Sequence, residues 1–224
     1  MRSAADENRR YFRRAYETGQ HGWEATEPSP YVATNLALVA PPATGRRLLD
    51  LGCGEGRHCL LAAKMGFRAV GVDYEPLAIA RARENARRAG FAGRVHFAVG
   101  DALAPPFARG SFDVLLDYGC LHHQKKSDWP RYLAAVTGAL APGGYFLLSV
   151  FSTRFRTYGP QQRSWHLAHG AYRRFFTSEE LHALFDTAFE FLGLEEERND
   201  ARGFWHALLR RRTPRRVCAP APRG

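Results

Sequence analysis

The fold this sequence predicts is a doubly wound α/β sheet, and three observations carry it. Short apolar runs ending near residues 50, 72, 99, 117 and 151 are separated by helical stretches. A glycine turn, Gly52-Cys53-Gly54-Glu55-Gly56, joins the first of these runs to a helix. Three of the later runs end at or beside a carboxylate: Asp73, Asp101 and Asp117. Strands alternating with helices at these lengths lay helices over both faces of a mainly parallel sheet.

Each element has its own signal. Residues 6–18 are polar with aromatics at Tyr11, Phe12 and Tyr16, which suits a short helix lying on an apolar surface, and Gly19 stops it. A loop over 20–30 carries Trp23, and a second helix over 31–39 ends before Pro41-Pro42. Strands are read at 46–50, 68–72, 94–99, 112–117 and 144–151, and helices at 57–65, 76–89, 128–140 and 178–188. Pro76 marks one helix start, and Thr177-Ser178-Glu179-Glu180 reads as a capping box at another. Two last strands, 189–196 and 204–211, pair antiparallel at one edge. Residues 152–176 break the alternation with Tyr158, Trp165, His166, His169, Tyr172 and many arginines. So long a connection inside a compact domain is a lid or a surface excursion, and we expect a substrate lid. The tail over 213–224, rich in proline and arginine, is expected to be a disordered basic segment. The reading is therefore one domain over 1–212, with 1–45 as an N-terminal helical cover.

Composition narrows the classes. An apolar fraction of 45% in 224 residues suffices for one core. No uninterrupted apolar run reaches the length of a membrane span, and the N-terminus lacks the apolar segment of a secretory signal. Cys53, Cys59, Cys120 and Cys218 show no zinc spacing, so a reduced, cytoplasmic setting and no metal site are expected. A net charge of +10 raises the question of nucleic acid. Yet of 32 basic residues only Lys64, Lys125 and Lys126 are lysine, and the arginines are dispersed. The composition disfavours a nucleic-acid partner and leaves RNA open; it says nothing of oligomeric state.

A glycine turn between a strand and a helix lets a ligand approach bare backbone beside a positive helix end. Here the spacing is GxGxG, Arg57 stands where dinucleotide-binding turns have a third glycine, and Asp50 precedes the turn. This resembles motif I of the class I S-adenosylmethionine (SAM)-dependent methyltransferases. Val70-Gly71-Val72-Asp73 places a carboxylate 21 residues after Gly52, and Val99-Gly100-Asp101-Ala102 closes the third strand. Leu140-Ala141-Pro142-Gly143-Gly144-Tyr145 is similar to the turn into that family's fifth strand. The resemblance covers residues 48–150. It implies a Rossmann-like seven-stranded sheet of order 3-2-1-4-5-7-6 with the last strand antiparallel and N-terminal helices. It also implies a SAM site. Gly52, Cys53, Gly54 and Gly56 would give backbone room, Asp50 would organise the methionine amine, Asp73 with neighbouring Tyr74 the ribose, and Asp101 with the Ala102 backbone the adenine.

Asp117-Tyr118-Gly119-Cys120-Leu121-His122-His123 follows the fourth strand, where the family presents residues to the methionine end and the acceptor. Asp117 is taken as both cofactor-binding and catalytic, His122 as a general base for a hydroxyl or amine, and His123 as a loop cap. The segment Tyr16 to Glu24 resembles the aromatic N-terminal stretch of the thiopurine and tellurite-resistance methyltransferases, which implies that Tyr11 and Trp23 close the SAM pocket. The expected function is methyl transfer from SAM to a small-molecule acceptor, leaving S-adenosylhomocysteine. An RNA or protein methyltransferase and a non-catalytic SAM-binding module stay open as rivals.

Overall fold

The computed structural model describes residues 4–19, 27–39, 45–154, 166–168, 171–198 and 203–213. Trp23, Tyr158, Trp165, His169 and the tail beyond 213 lie outside the described residues. Two helices, α1 (Ala4–Thr18) and α2 (Pro30–Val39), precede strand β1 (Arg47–Leu51). Then come α3 (Arg57–Lys64), β2 (Arg68–Asp73), α4 (Pro76–Arg88), β3 (Val95–Val99) and β4 (Phe112–Tyr118). A 3-10 turn at Leu121–His123 leads to α5 (Trp129–Ala139), β5 (Leu140–Phe151), β6 (His166–Ala168) and β7 (Ala171–Arg173). The described chain ends with α6 (Ser178–Phe185), β8 (Phe189–Arg198) and β9 (Gly203–Arg211).

The main sheet has seven strands in the order β3-β2-β1-β4-β5-β9-β8. Counting only its own strands, this is the expected 3-2-1-4-5-7-6. β9 inserts between β5 and β8 and runs antiparallel to both, while the first five strands are mutually parallel. The expected helix starts are present. Glu75 caps α4 by accepting from Leu77 N, with Pro76 in the first turn. Thr177 and Glu180 form the reciprocal capping box of α6.

Side chains along a strand alternate between its two faces, so each strand feeds both apolar layers. On β4, Val114 and Leu116 join α2, α3 and α4 on one face, while Leu115 joins α5 and α6 on the other. Each fully buried leucine contributes about 1.5–3 kcal/mol. The same alternation decides where polar residues at the strand ends point. Asp117 follows Leu115 toward α5, and Tyr118 follows Val114 and Leu116 toward α3.

The insertion differs from expectation in two respects. Part of it is an antiparallel pair, β6 with β7, rather than irregular chain. Its C-terminal end belongs to the core: Phe175 and Phe176 are buried, and Phe176 exchanges backbone bonds with Phe151 and Thr153.

Candidate active site

The carboxyl ends of β1, β2, β4 and β5 open into a cleft of about 1550 Å³, roofed in part by α1. That exceeds the room one drug-sized ligand takes. Gly52 and Gly54 lie on its wall, and Gly52 has φ 71°. A Cβ there would stand 2.9 Å from Cys120 Cβ, so only glycine lets the loop pass this close to the turn after β4. Gly56 is not on the wall. A Cβ there would meet the Phe97 ring at 2.6 Å, so this glycine serves helix–sheet packing.

Asp73 ties the loop to β2. Its Oδ2 accepts from Gly54 N at 3.0 Å and its Oδ1 from Glu75 N at 2.9 Å, and the half-buried carboxylate still lines the cleft. Burial raises its pKa to about 6 against the pull of those backbone donors. Tyr74 beside it lines the cleft with a buried hydroxyl that has no partner among the described residues. Ala102 lines the cleft too, whereas Asp101 is exposed outside the wall and accepts from Leu103 N. Cys53 and Cys120 are on the wall with burial holding both thiols neutral, which suits packing rather than nucleophilic attack.

Two predicted carboxylates lie beneath the wall. Asp50 is 1% exposed, faces α3, and accepts from the Cys59 thiol; burial raises its pKa to about 7. Asp117 is fully buried, with Oδ1 taken by Cys120 N at 2.7 Å and Oδ2 by Leu121 N at 2.9 Å and Tyr132 Oη at 2.5 Å. It pins the turn that carries the histidines and touches no ligand space. The expectation that Asp117 faces the reaction centre is therefore corrected, and the cause is strand alternation.

Both histidines line the cleft. His122 is stacked on Phe151, centroids 3.7 Å apart, and its Nδ1 accepts from Phe151 N at 3.2 Å. An Nδ1 lone pair used this way places the ring proton on Nε2, so the second ring nitrogen of His122 is a donor. That geometry does not suit the base role given to it above. His123 donates from Nδ1 to Tyr172 O at 2.9 Å. It is more than a loop cap: its Nε2 keeps a lone pair. Burial lowers the pKa of both, that of His123 to about 4, and the adjacent Arg173 adds to it.

Sequence reasoning missed several residues on the wall and behind it. Asn8 of α1 donates to His123 O and accepts from Tyr172 N, at 3.1 and 2.7 Å. This joins the cover, the insertion and the histidine turn. Tyr11 is on the wall, with Arg173 over its ring. Tyr118, Phe204 and His206 stack along the outer wall, and Tyr31 stacks on His206 at 4.4 Å. His206 bridges Ser149 Oγ at 2.8 Å and Glu197 Oε2 at 3.3 Å. Arg57, the departure from the third glycine, lies over the Tyr118 ring. Among the described residues no cluster of His, Cys, Asp and Glu is arranged to hold a metal, and no helix is long and apolar enough to cross a membrane.

The profile of a family described as a methyltransferase domain matches residues 43–188. Norajmaline N-methyltransferase of Rauvolfia serpentina is 30% identical over 115 residues, covering 51% of this chain and 39% of that protein. Ajmaline N-methyltransferase of the same plant is 30% identical over 125 residues, covering 55% and 42%. The chain thus spans less than half the length of these curated relatives. Among solved structures, 1,6-didemethyltoxoflavin-N1-methyltransferase of Burkholderia thailandensis, with 1,6-didemethyltoxoflavin and S-adenosylhomocysteine bound, is similar with a TM-score of 0.78. The two are 25% identical, over 95% of this chain and 92% of that one.

Proposed function

This chain belongs to the methyltransferase-domain family, and from that membership we propose that it transfers a methyl group from SAM to a small-molecule acceptor. The observation that supports this most directly is the bond from Gly54 N to Asp73 Oδ2, which sets the glycine loop and a half-buried carboxylate on one wall. When bound, the cofactor supplies an electrophilic methyl group. The residues present fit it. Asp73 has acceptor capacity left for two ribose hydroxyls, Tyr74 has an unpartnered hydroxyl, and Ala102 offers an apolar seat for an adenine. Asp50 lies beneath the loop and off the wall, so it supports the loop rather than the ligand.

Beyond Gly119 and Cys120 the wall turns aromatic, with Tyr118, His122, His123, Phe151 and Phe204. Flat rings exclude water and orient a planar acceptor, which an in-line displacement requires. A chamber of this size suits a small molecule. The likeness of Tyr16–Glu24 to the thiopurine and tellurite-resistance group finds no support in the relatives named above.

The test is calorimetry with S-adenosylhomocysteine, followed by labelled SAM offered with small-metabolite, RNA and protein fractions. Label entering the small-metabolite fraction alone is expected. Absence of S-adenosylhomocysteine binding, or label only in RNA or protein, overturns the reading.

A further inference from the structure

His122 and His123 are neighbours in one turn, with ring centroids 4.5 Å apart, and both line the cleft. The backbone fixes them in opposite tautomers. Phe151 N–H donates to His122 Nδ1, so that ring carries its proton on Nε2. His123 donates from Nδ1 to the Tyr172 carbonyl, which can only accept, so that ring has a bare Nε2. Among the described residues the hydrogen bonds of both rings are made at Nδ1 and not at Nε2. The two rings on the cleft wall therefore carry opposite functions, His122 Nε2 a donor and His123 Nε2 an acceptor.

We propose that this pair reads the edge of a planar N–H heterocycle in which the N–H stands beside a carbonyl or ring nitrogen, and that the N–H nitrogen is the methyl acceptor. His122 Nε2–H donates to the lone-pair atom, and His123 Nε2 accepts from the N–H. As the nitrogen forms its bond to the methyl carbon, the C–S bond breaks and its electron pair stays on sulfur. The N–H proton passes to His123, which becomes imidazolium and releases it to water. A ring nitrogen grows strongly acidic as it gains the methyl group, so a neutral imidazole of lowered basicity suffices.

Two features favour this class over an aliphatic amine or a thiol. The stacked Phe151 and His122 rings, with Phe204 5.0 Å from Phe151, make flat walls. The donor–acceptor pair would leave one polar atom unmatched with any ligand lacking both groups, and such mismatches discriminate strongly. The pairing also depends on the cover. Asn8 holds the residue whose carbonyl sets the His123 tautomer, so α1 must be seated for the pair to exist.

This rests on the function proposed above, and the experiment separates the two. The full chain, with 15N-labelled histidine and S-adenosylhomocysteine, is examined by long-range proton–nitrogen correlation. His122 should show the Nε2–H pattern and His123 the Nδ1–H pattern. The probes are 4-quinazolinone, which carries the N–H beside a carbonyl, and its 3-methyl derivative, which does not. The first should bind at least tenfold more tightly and shift both histidine signals. His122→Asn keeps an acceptor for Phe151 N–H, and His123→Asn keeps a donor for Tyr172 O; each deletes only the Nε2 side. Each should weaken 4-quinazolinone binding at least tenfold while S-adenosylhomocysteine affinity stays within twofold. The same tautomer on both rings, or equal or no binding of the two probes, overturns the inference. Loss of S-adenosylhomocysteine binding by the unsubstituted protein overturns the proposed function instead.

Discussion

Replacing Asp73 by alanine tests the cofactor half of the site. Its carboxylate has two backbone donors on its inner side and capacity left for two ribose hydroxyls on the cleft side. A hydrogen bond to a charged group contributes about 1.5–3 kcal/mol. Loss of one such bond lowers affinity roughly tenfold, and loss of two at the lower value roughly 150-fold. Asp73→Ala should therefore weaken S-adenosylhomocysteine binding by a factor in that range, measured by calorimetry at pH 7.5. The same change frees Gly54 N and Glu75 N, so the melting temperature must be followed in parallel. A cooperative transition within several degrees of the unsubstituted protein assigns the loss to the ligand contact rather than to a collapsed loop. The titration adds a second signature. Burial places the Asp73 pKa at about 6, and only the ionised form accepts from both hydroxyls. Affinity should fall as pH drops through about 6 in the unsubstituted protein and stay flat in Asp73→Ala. Unchanged affinity in a folded Asp73→Ala, or an identical acid limb in both proteins, refutes the ribose assignment.

Other outcomes follow from the buried groups. Asp117→Ala strands Tyr132 Oη and two backbone donors and should cost about 3 kcal/mol or more in urea unfolding, against about 1 kcal/mol for Tyr132→Phe. If Tyr132→Phe keeps its stability but loses turnover, Asp117 belongs to the chemistry after all. Replacing residues 155–170 by a short glycine–serine turn should preserve S-adenosylhomocysteine affinity and lower turnover at least tenfold; normal turnover makes that segment a surface excursion. The Asp50 carboxyl is raised from 3.8 to about 7, so the folded state binds its proton more tightly than the unfolded state. Its contribution to stability is full below about pH 4 and is lost as pH rises through 7. Asp50→Asn should match the unsubstituted protein near pH 4 and exceed it by up to about 4 kcal/mol at pH 8. His58, held neutral by burial with a pKa of about 3, destabilises both proteins alike on acidification, so the difference between them is the readout. Equal stability at pH 8 refutes the raised value.

The sheet was legible because its signals are local and repeated. A buried parallel strand is a run of apolar residues, and Pro76 and the Thr177–Glu180 box mark helix starts within four residues of chain. The insertion was less so, since β6 and β7 are three residues each and leave no period to read.

The site divides along the same line. Gly52, Gly54 and Asp73 stand where a short motif places them, because the loop itself brings them together. Asp117 was misread although its alternation with Leu115 is plain in the sequence. When both faces of a strand are apolar, alternation tells which residues share a face and not which face opens to a ligand. The histidine pair is the harder case. The roles of its rings are set by a backbone N–H 29 residues away and a backbone carbonyl 49 residues away, and backbone groups leave no mark in a sequence. Every residue carries them, so only the fold selects Phe151 N for one ring and Tyr172 O for the other. Two adjacent residues of one type thus come to do opposite work. A histidine pair can be found by its letters, but its donor and acceptor must be found by asking where each Nδ1 goes.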